Sequence, residues 1–252
     1  MSYKIIIPAR YGATRLAAKP LQPIANKPLI QWVYECAQQT QAEQIIIATD
    51  HDAIADVVRG FAADVCMTST NHASGSDRLA EVVAQRNFAD DDIVVNLQGD
   101  EPLMPAEVID QVAANLALFK QANTATLCTP IQSSEALIDP HVVKVVRNFE
   151  NFALYFSRAP IPWDRDGFVQ QEHPVSADLH FRHIGLYAYR VGFLKQFVRQ
   201  SYSRLEQHES LEQLRILYYG GVIHCDIACK VPGPGVDTEA DRIAVERLVN
   251  GK

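Results

Sequence analysis

The chain has no apolar run near the roughly twenty residues that span a bilayer. It also lacks the two common glycine-based phosphate cradles: there is no Gly-Lys-Ser/Thr phosphate loop and no Gly-x-Gly-x-x-Gly. No nucleophile elbow accompanies a Ser/His/Asp set, and the eight histidines show no metal-ligand spacing. Positive charge is in deficit, with 23 Lys and Arg against 30 Asp and Glu and a net charge of −7. A general nucleic-acid binder needs a broad basic face, so that class is excluded. Cysteine is sparse and odd in number (Cys36, Cys66, Cys128, Cys225, Cys229), and Cys225 and Cys229 lack zinc-pair spacing and a second pair. All five are read as reduced, in a cytoplasmic protein. The sequence opens with no charged leader or cleavage site, which supports the same expectation. Repeats, low-complexity tracts and Ser/Gly/Pro linkers are missing too. With 252 residues, 48% of them hydrophobic, residues 1–252 are expected to form one domain around a large core.

What is present is organised around residues 4–21, KIIIPARYGATRLAAKPL. Three consecutive isoleucines before Pro8 have the length and character of a fully buried strand. Past Pro8, Arg10, Arg15 and Lys19 follow among small residues. A buried strand feeding a cationic loop suits a polyphosphate site at the carboxyl edge of a sheet. The alternative at this point is a solvated basic turn.

Further along, apolar spacing predicts helices at 28–40, 53–61, 77–85, 105–118, 191–199, 206–219 and 239–249. Strands are expected at 44–50, 64–67, 92–98, 124–130, 142–147, 151–157, 180–190 and 222–228, with a long loop at 159–171. Ser76 is the expected cap of the third helix, without a capping box because Leu79 stands three positions on. The alternation of strand and helix in the first half implies right-handed crossovers and a largely parallel sheet. The segment around 151–200 reads as an appendage on the sheet or against another subunit.

Several constellations bear on chemistry. Asp100, in Gln98-Gly99-Asp100-Glu101-Pro102 past a strand end, is a candidate Mg²⁺ ligand or a turn aspartate. Asp237, in the Pro/Gly-rich run 232–238, is a second candidate ligand or the cap of the last helix. Together with the cationic loop, they describe metal-assisted attack at a nucleotide phosphate. Residues 72–78, HASGSDR, offer small polar groups for reading a base, or a plain helix start. Glu212 and Gln213, with His183 and Tyr187, are polar groups among core positions that could line a polyhydroxylated substrate, or in the case of His183 a satisfied core residue; Arg158 extends that polar lining.

The pieces IIIPARYGATRLAAKPL, ATDH, HASGSDRLAEV, VVNLQGDEP, YFSRAPIPWDRD, RHIGLYAYR, LEQLRILYYG and PGPGVDTEAD occur in one order across almost the whole chain. In them the chain resembles the 3-deoxy-manno-octulosonate cytidylyltransferase family. The resemblance implies an α/β nucleotidyltransferase fold (GT-A-like and Rossmann-like, a predominantly parallel mixed sheet) with a small dimerisation subdomain. It implies transfer of CMP from CTP to the anomeric hydroxyl of an acidic eight-carbon sugar, with Mg²⁺ as cofactor, a homodimer as the working form, and a role in lipopolysaccharide synthesis. Carried over by position, Arg10, Arg15 and Lys19 would grip the triphosphate beside Pro8 and Ala9. Asp100 and Asp237 would hold Mg²⁺. Ser74, Gly75, Arg78 and Gln98 would sit at the cytidine, and Arg158, His183, Tyr187, Glu212 and Gln213 at the sugar. One departure stands out: where the family loop carries Pro-Gly, this chain has Ala17-Ala18, and Ala13 replaces a serine. That removes a fixed φ and easy access to positive φ. Rival readings are a cytidylyltransferase for a sialic acid or amino-modified sugar, and a sugar-nucleotide binder without activity.

Overall fold

The computed structural model describes residues 2–12, 16–169 and 175–251. In chain order the elements are β1 (Lys4–Ala9), β2 (Pro23–Ile24), β3 (Lys27–Pro28), α1 (Leu29–Ala37), β4 (Gln44–Thr49), α2 (Asp52–Gly60), β5 (Asp64–Met67), α3 (Gly75–Gln85), β6 (Ile93–Asn96), α4 (Ala106–Leu118) and β7 (Thr124–Pro130). The second half adds α5 (Ser134–Ile138), β8 (Lys144–Arg147), β9 (Ala153–Ser157), α6 (Arg165–Val169), β10 (Phe181–Arg190), α7 (Val191–Phe197), α8 (Arg204–Glu209), α9 (Gln213–Tyr218), β11 (Ile223–Ile227) and α10 (Glu239–Val249).

The main sheet runs β11-β7-β10-β6-β1-β4-β5. Strand β1 pairs in parallel with β4 on one side and β6 on the other. Strand β10 is antiparallel to both β6 and β7, which makes the sheet mixed. The chain leaves β1 toward β4 and β5, then returns to lay β6 on the other flank of β1. That reversal opens a crevice outside the carboxyl ends of β1 and β6.

The isoleucine run is buried on both faces, as a central parallel strand requires. Ile5 and Ile7 pack with Val33 of α1, Val58 of α2 and Val112 of α4. Ile6 points the other way, into a cluster with Val82 of α3, Leu194 of α7 and Leu214 of α9. Each such side chain stabilises the fold by about 1.5–3 kcal/mol when fully buried.

Several expectations need correction. Helix α3 is capped by Ser74, not Ser76, and a capping box is present: Ser74 accepts from the Asp77 N–H while Asp77 accepts from the Ser74 N–H. Ser76 lies inside the helix, buried. The single helix expected over 206–219 is two, because Ser210 adopts φ 51° and turns the chain between α8 and α9. The loop expected at 159–171 contains α6, and α5 and the β2–β3 hairpin were not anticipated. That hairpin turns through Ala25 and Asn26 at φ 46° and 68°, the left-handed pair a two-residue turn demands. The segment 151–200 divides: β10 is central to the main sheet and α7 packs on α3, whereas β9 hangs from β8 at its side.

Candidate active site

A cleft of about 570 Å³ lies at the crevice. One end is built by the cationic loop and two carboxylates. Pro8 and Ala9 end β1 on the cleft floor, and Arg10 is exposed at its rim. Lys19 opens a one-turn 3₁₀ helix, preceded by Ala18 at φ 47°, ψ 40°. Ala18 therefore occupies the left-handed conformation in a residue type that resists it. From there Lys19 reaches Asp100 and Asp237, 81 and 218 residues away in the chain, with Nζ 2.6 Å from Asp100 Oδ2 and 3.0 Å from Asp237 Oδ1. Burial lowers the Lys19 pKa, but the two carboxylates outweigh it and the net shift is upward.

Asp237 comes beside Asp100 because their loops are zipped together by backbone hydrogen bonds. The Val236 N–H donates to the Asp100 carbonyl (2.8 Å), and the Gly233 N–H donates to that of Leu103 (3.2 Å). Asp237 is not the cap of the last helix; Thr238 is, through a capping box with Asp241. Gly99 lets the β6 loop lie against the end of β1: a Cβ there would fall 2.7 Å from the Pro8 carbonyl oxygen. Burial, then the adjacent Asp100 charge, raises the Glu101 carboxyl to about 7.

The middle of the cleft is formed by the start of α3 and the end of β6. Ser74, Gly75, Arg78 and Gln98 all line it. The Ser74 hydroxyl is committed to the cap, which leaves backbone groups at the positive end of α3 to meet a ligand. The Arg78 guanidinium is engaged as well, donating to Asp50 (2.8 Å) and Thr68. It braces the cleft wall, and Asp50 in turn accepts from the Tyr11 N–H in the cationic loop.

The far wall is one face of β10. His183, Gly185, Tyr187 and Tyr189 alternate along the strand and all line the cleft, as a period of two dictates. The His183 Nε2 lies 3.1 Å from Thr126 Oγ1. Burial, aided by the neighbouring Arg182, lowers the His183 pKa to about 3, so the ring is neutral near pH 7. Glu212 and Gln213 enter from the start of α9. One Glu212 oxygen accepts from Ser76 (2.7 Å), and the other accepts from Arg215 (3.1 Å). Arg215 is fully buried over the Phe197 ring and also pairs with Glu206.

The expected site residues thus converge, with two exceptions. Arg158 does not line the cleft. Its guanidinium donates to the backbone carbonyls of Glu209 (2.6 Å) and Pro140 (2.8 Å), pinning the end of β9 to the α8–α9 junction. Arg15 lies outside the described residues. Lining residues missed by the sequence reading include Asn96 and Tyr189. A signal for Asn96 existed: it is an amide closing the otherwise apolar run Ile93–Asn96.

The Lys19 contact tests whether Mg²⁺ fits. An ammonium already bridges the two carboxylates, so the position attracts a cation. Among the described residues no group of three or more His, Cys, Asp or Glu gathers at one point. Two carboxylates suit Mg²⁺, which takes its remaining ligands from phosphate and water.

A mixed sheet with this switch-point cleft, with an ion-paired lysine and two carboxylates at one end and hydroxyl and amide groups at the other, is the architecture of an α/β nucleotidyltransferase. The family model for cytidylyltransferases matches residues 4–227. The 3-deoxy-manno-octulosonate cytidylyltransferase of Thioalkalivibrio sulfidiphilus is 54% identical over 249 residues, covering 99% of both chains. That of Vibrio vulnificus is 53% identical over 252 residues, covering 100% of both. A solved CMP:2-keto-3-deoxy-manno-octonic acid synthetase complexed with CTP aligns at TM-score 0.89 and 39% identity, over 99% of this chain and 98% of that one. A 4-diphosphocytidyl-2C-methyl-D-erythritol synthase shares the fold at TM-score 0.64 and 13% identity, over 98% of each chain. The chain belongs to the 3-deoxy-manno-octulosonate cytidylyltransferase family.

Proposed function

We propose that this chain transfers CMP from CTP to the anomeric hydroxyl of 3-deoxy-D-manno-octulosonate and releases pyrophosphate, a step toward lipopolysaccharide. The observation that carries the reading is the two-ended cleft. Lys19, Asp100 and Asp237 meet within 3.0 Å at one end, and His183, Tyr187 and Gln213 form the wall of the same cavity. Membership of the family and the 39% identical relative solved with CTP support the same donor.

The anomeric oxygen forms a bond to the α-phosphorus as the bond to the bridging β-phosphate oxygen breaks, and the hydroxyl proton passes to solvent. No covalent enzyme intermediate is needed. Arg10 and Lys19 neutralise phosphate charge, and the positive end of α3 orients the nucleoside. His183, Tyr187 and Gln213 hold the sugar in line, converting a bimolecular encounter into a positioned one. Asp100 and Asp237 would hold Mg²⁺, which when bound adds charge neutralisation at the phosphates. With Mg²⁺ held there, the Lys19 ammonium would be free to neutralise phosphate charge.

The working form is a homodimer built on the β8–β9 hairpin. Strand β9 pairs only with β8 among the named strands, and Leu154 on it is more than half exposed. Sedimentation of a Leu154→Lys variant tests this, and a monomeric wild type refutes it. No described helix is long and apolar enough to cross a membrane, and all five cysteines are free. Both fit a cytoplasmic enzyme drawing on CTP.

The deciding experiment is pyrophosphate release from CTP and Mg²⁺ with a panel of acidic sugars. Turnover with 3-deoxy-D-manno-octulosonate, and not with a sialic acid, supports the reading. Turnover with sialic acid or an amino-modified analogue alone replaces the acceptor. CTP binding without release for any sugar makes the protein a binder.

A further inference from the structure

Three residues of the cleft lining each carry a buried side-chain polar atom with no hydrogen-bond partner: Asn96 (Oδ1), Tyr187 (OH) and Gln213 (Nε2). Their residues are 3%, 7% and 8% exposed. Buried polar groups are normally paired, so unpaired ones gathered on one cavity await partners that a ligand supplies. Tyr187 and Gln213 already belong to the sugar wall. Asn96 has been given no role, and its position is informative.

Asn96 ends β6 and stands directly opposite Tyr187 across the antiparallel β6–β10 pair. Opposed residues share a face of the sheet, so the amide and the phenol project into the same end of the cleft. On its other side, the Asn96 Nδ2 lies 3.8 Å from where a Cβ on Gly75 would stand, at the start of α3. Asn96 therefore occupies the seam between the nucleoside-facing helix end and the sugar-facing strand. The rest of β6 is apolar and buried, where an amide is costly unless it is used.

We propose that Asn96 is a substrate-contacting specificity residue, whose Oδ1 accepts a hydrogen bond from a hydroxyl of the acidic sugar at this seam. The proposal rests on the function inferred above. A site that hydrogen-bonds a substrate hydroxyl discriminates strongly against analogues lacking it, because the buried group is then left unpaired. Asn96 is thus a filter for polyhydroxylated acceptors, acting beside Tyr187.

The test uses the full-length protein. Asn96→Ala and Asn96→Ser are assayed by pyrophosphate release for kcat and for KM of each substrate. CTP binding is measured separately by calorimetry with Mg²⁺ and no sugar. The expected result is a fall of about tenfold or more in kcat/KM for the sugar in the alanine variant. Partial recovery is expected in the serine variant, with CTP affinity within about twofold of wild type. Wild type assayed with monodeoxy sugars gives a readout independent of folding: one analogue loses efficiency to a similar degree, and Asn96→Ala no longer distinguishes it. Unchanged sugar kinetics in the folded variants, or a loss confined to CTP binding, overturns the proposal while leaving the function intact. A wild type that turns over no acidic sugar overturns both.

Discussion

The ammonium of Lys19 lies 2.6 Å from the Asp100 carboxylate, so a lysine from the cationic loop occupies the place that the expected metal would take. Lys19 is largely buried, and its second contact is the other candidate ligand, Asp237. If the proposed Mg²⁺ site holds, lysine and metal would compete for one pair of carboxylates. Lys19→Met is expected to bind Mn²⁺ more tightly than wild type when no nucleotide is present, while turnover falls about 100-fold or more from lost phosphate neutralisation. Mn²⁺ titration followed by electron paramagnetic resonance measures the first effect. Weaker Mn²⁺ binding in the variant would refute the competition.

Asp100→Asn separates catalysis from folding. The Asp100 side chain is about a third exposed and Asp237 still pairs with Lys19 in the variant, so the loss is held to about 1 kcal/mol. Thermal melting should therefore shift by a few degrees at most, while pyrophosphate release drops about 100-fold or more. A variant that keeps wild-type rates at saturating Mg²⁺ removes Asp100 from the mechanism.

Ala18 sits at φ 47°, ψ 40°, in the left-handed region that favours glycine. The left-handed conformation costs an alanine about 1–2 kcal/mol, against about 0.4–1 kcal/mol lost from the greater freedom of unfolded glycine. Ala18→Gly should stabilise the protein by about 0.5–1 kcal/mol, measured by urea denaturation. A destabilised variant would show that the loop takes another conformation in solution.

His224 is fully buried on β11, stacked on Phe119 with ring centroids 3.9 Å apart and with both ring nitrogens unpartnered. Burial lowers its pKa; Arg147 acts in the same direction, and Asp226 opposes them. The folded state thus resists protonation that the unfolded state accepts below about pH 6.5. Stability present above that pH is lost as pH falls, the sign for a base whose folded pKa is depressed. His224→Phe should give a shallower decline of melting temperature between about pH 6.5 and 5, with His183 retaining its own share. An unchanged slope would remove His224 as a source of acid sensitivity.

Local chemistry made much of this molecule legible. The isoleucine run of β1, the alternation along β10 and the helical spacing of α4 report which faces are buried, since burial follows period directly. The carboxylates and cations of the loops could be recognised as chemistry, and the order of the motifs named the family. What depended on tertiary packing was direction. Arg158 looks as suited to a sugar as His183, yet backbone carbonyls at the α8–α9 junction hold it outside the cleft. Ser76 looks as good a cap as Ser74, and only the geometry of Asp77 decides between them. Asp237 reaches Asp100 because two loops far apart in the chain share backbone hydrogen bonds, and Asn96 meets the cleft beside Tyr187 because β10 pairs antiparallel with β6. Periodicity and residue type are properties of a few neighbouring positions, whereas the pairing of distant loops and strands depends on how the whole sheet is wound.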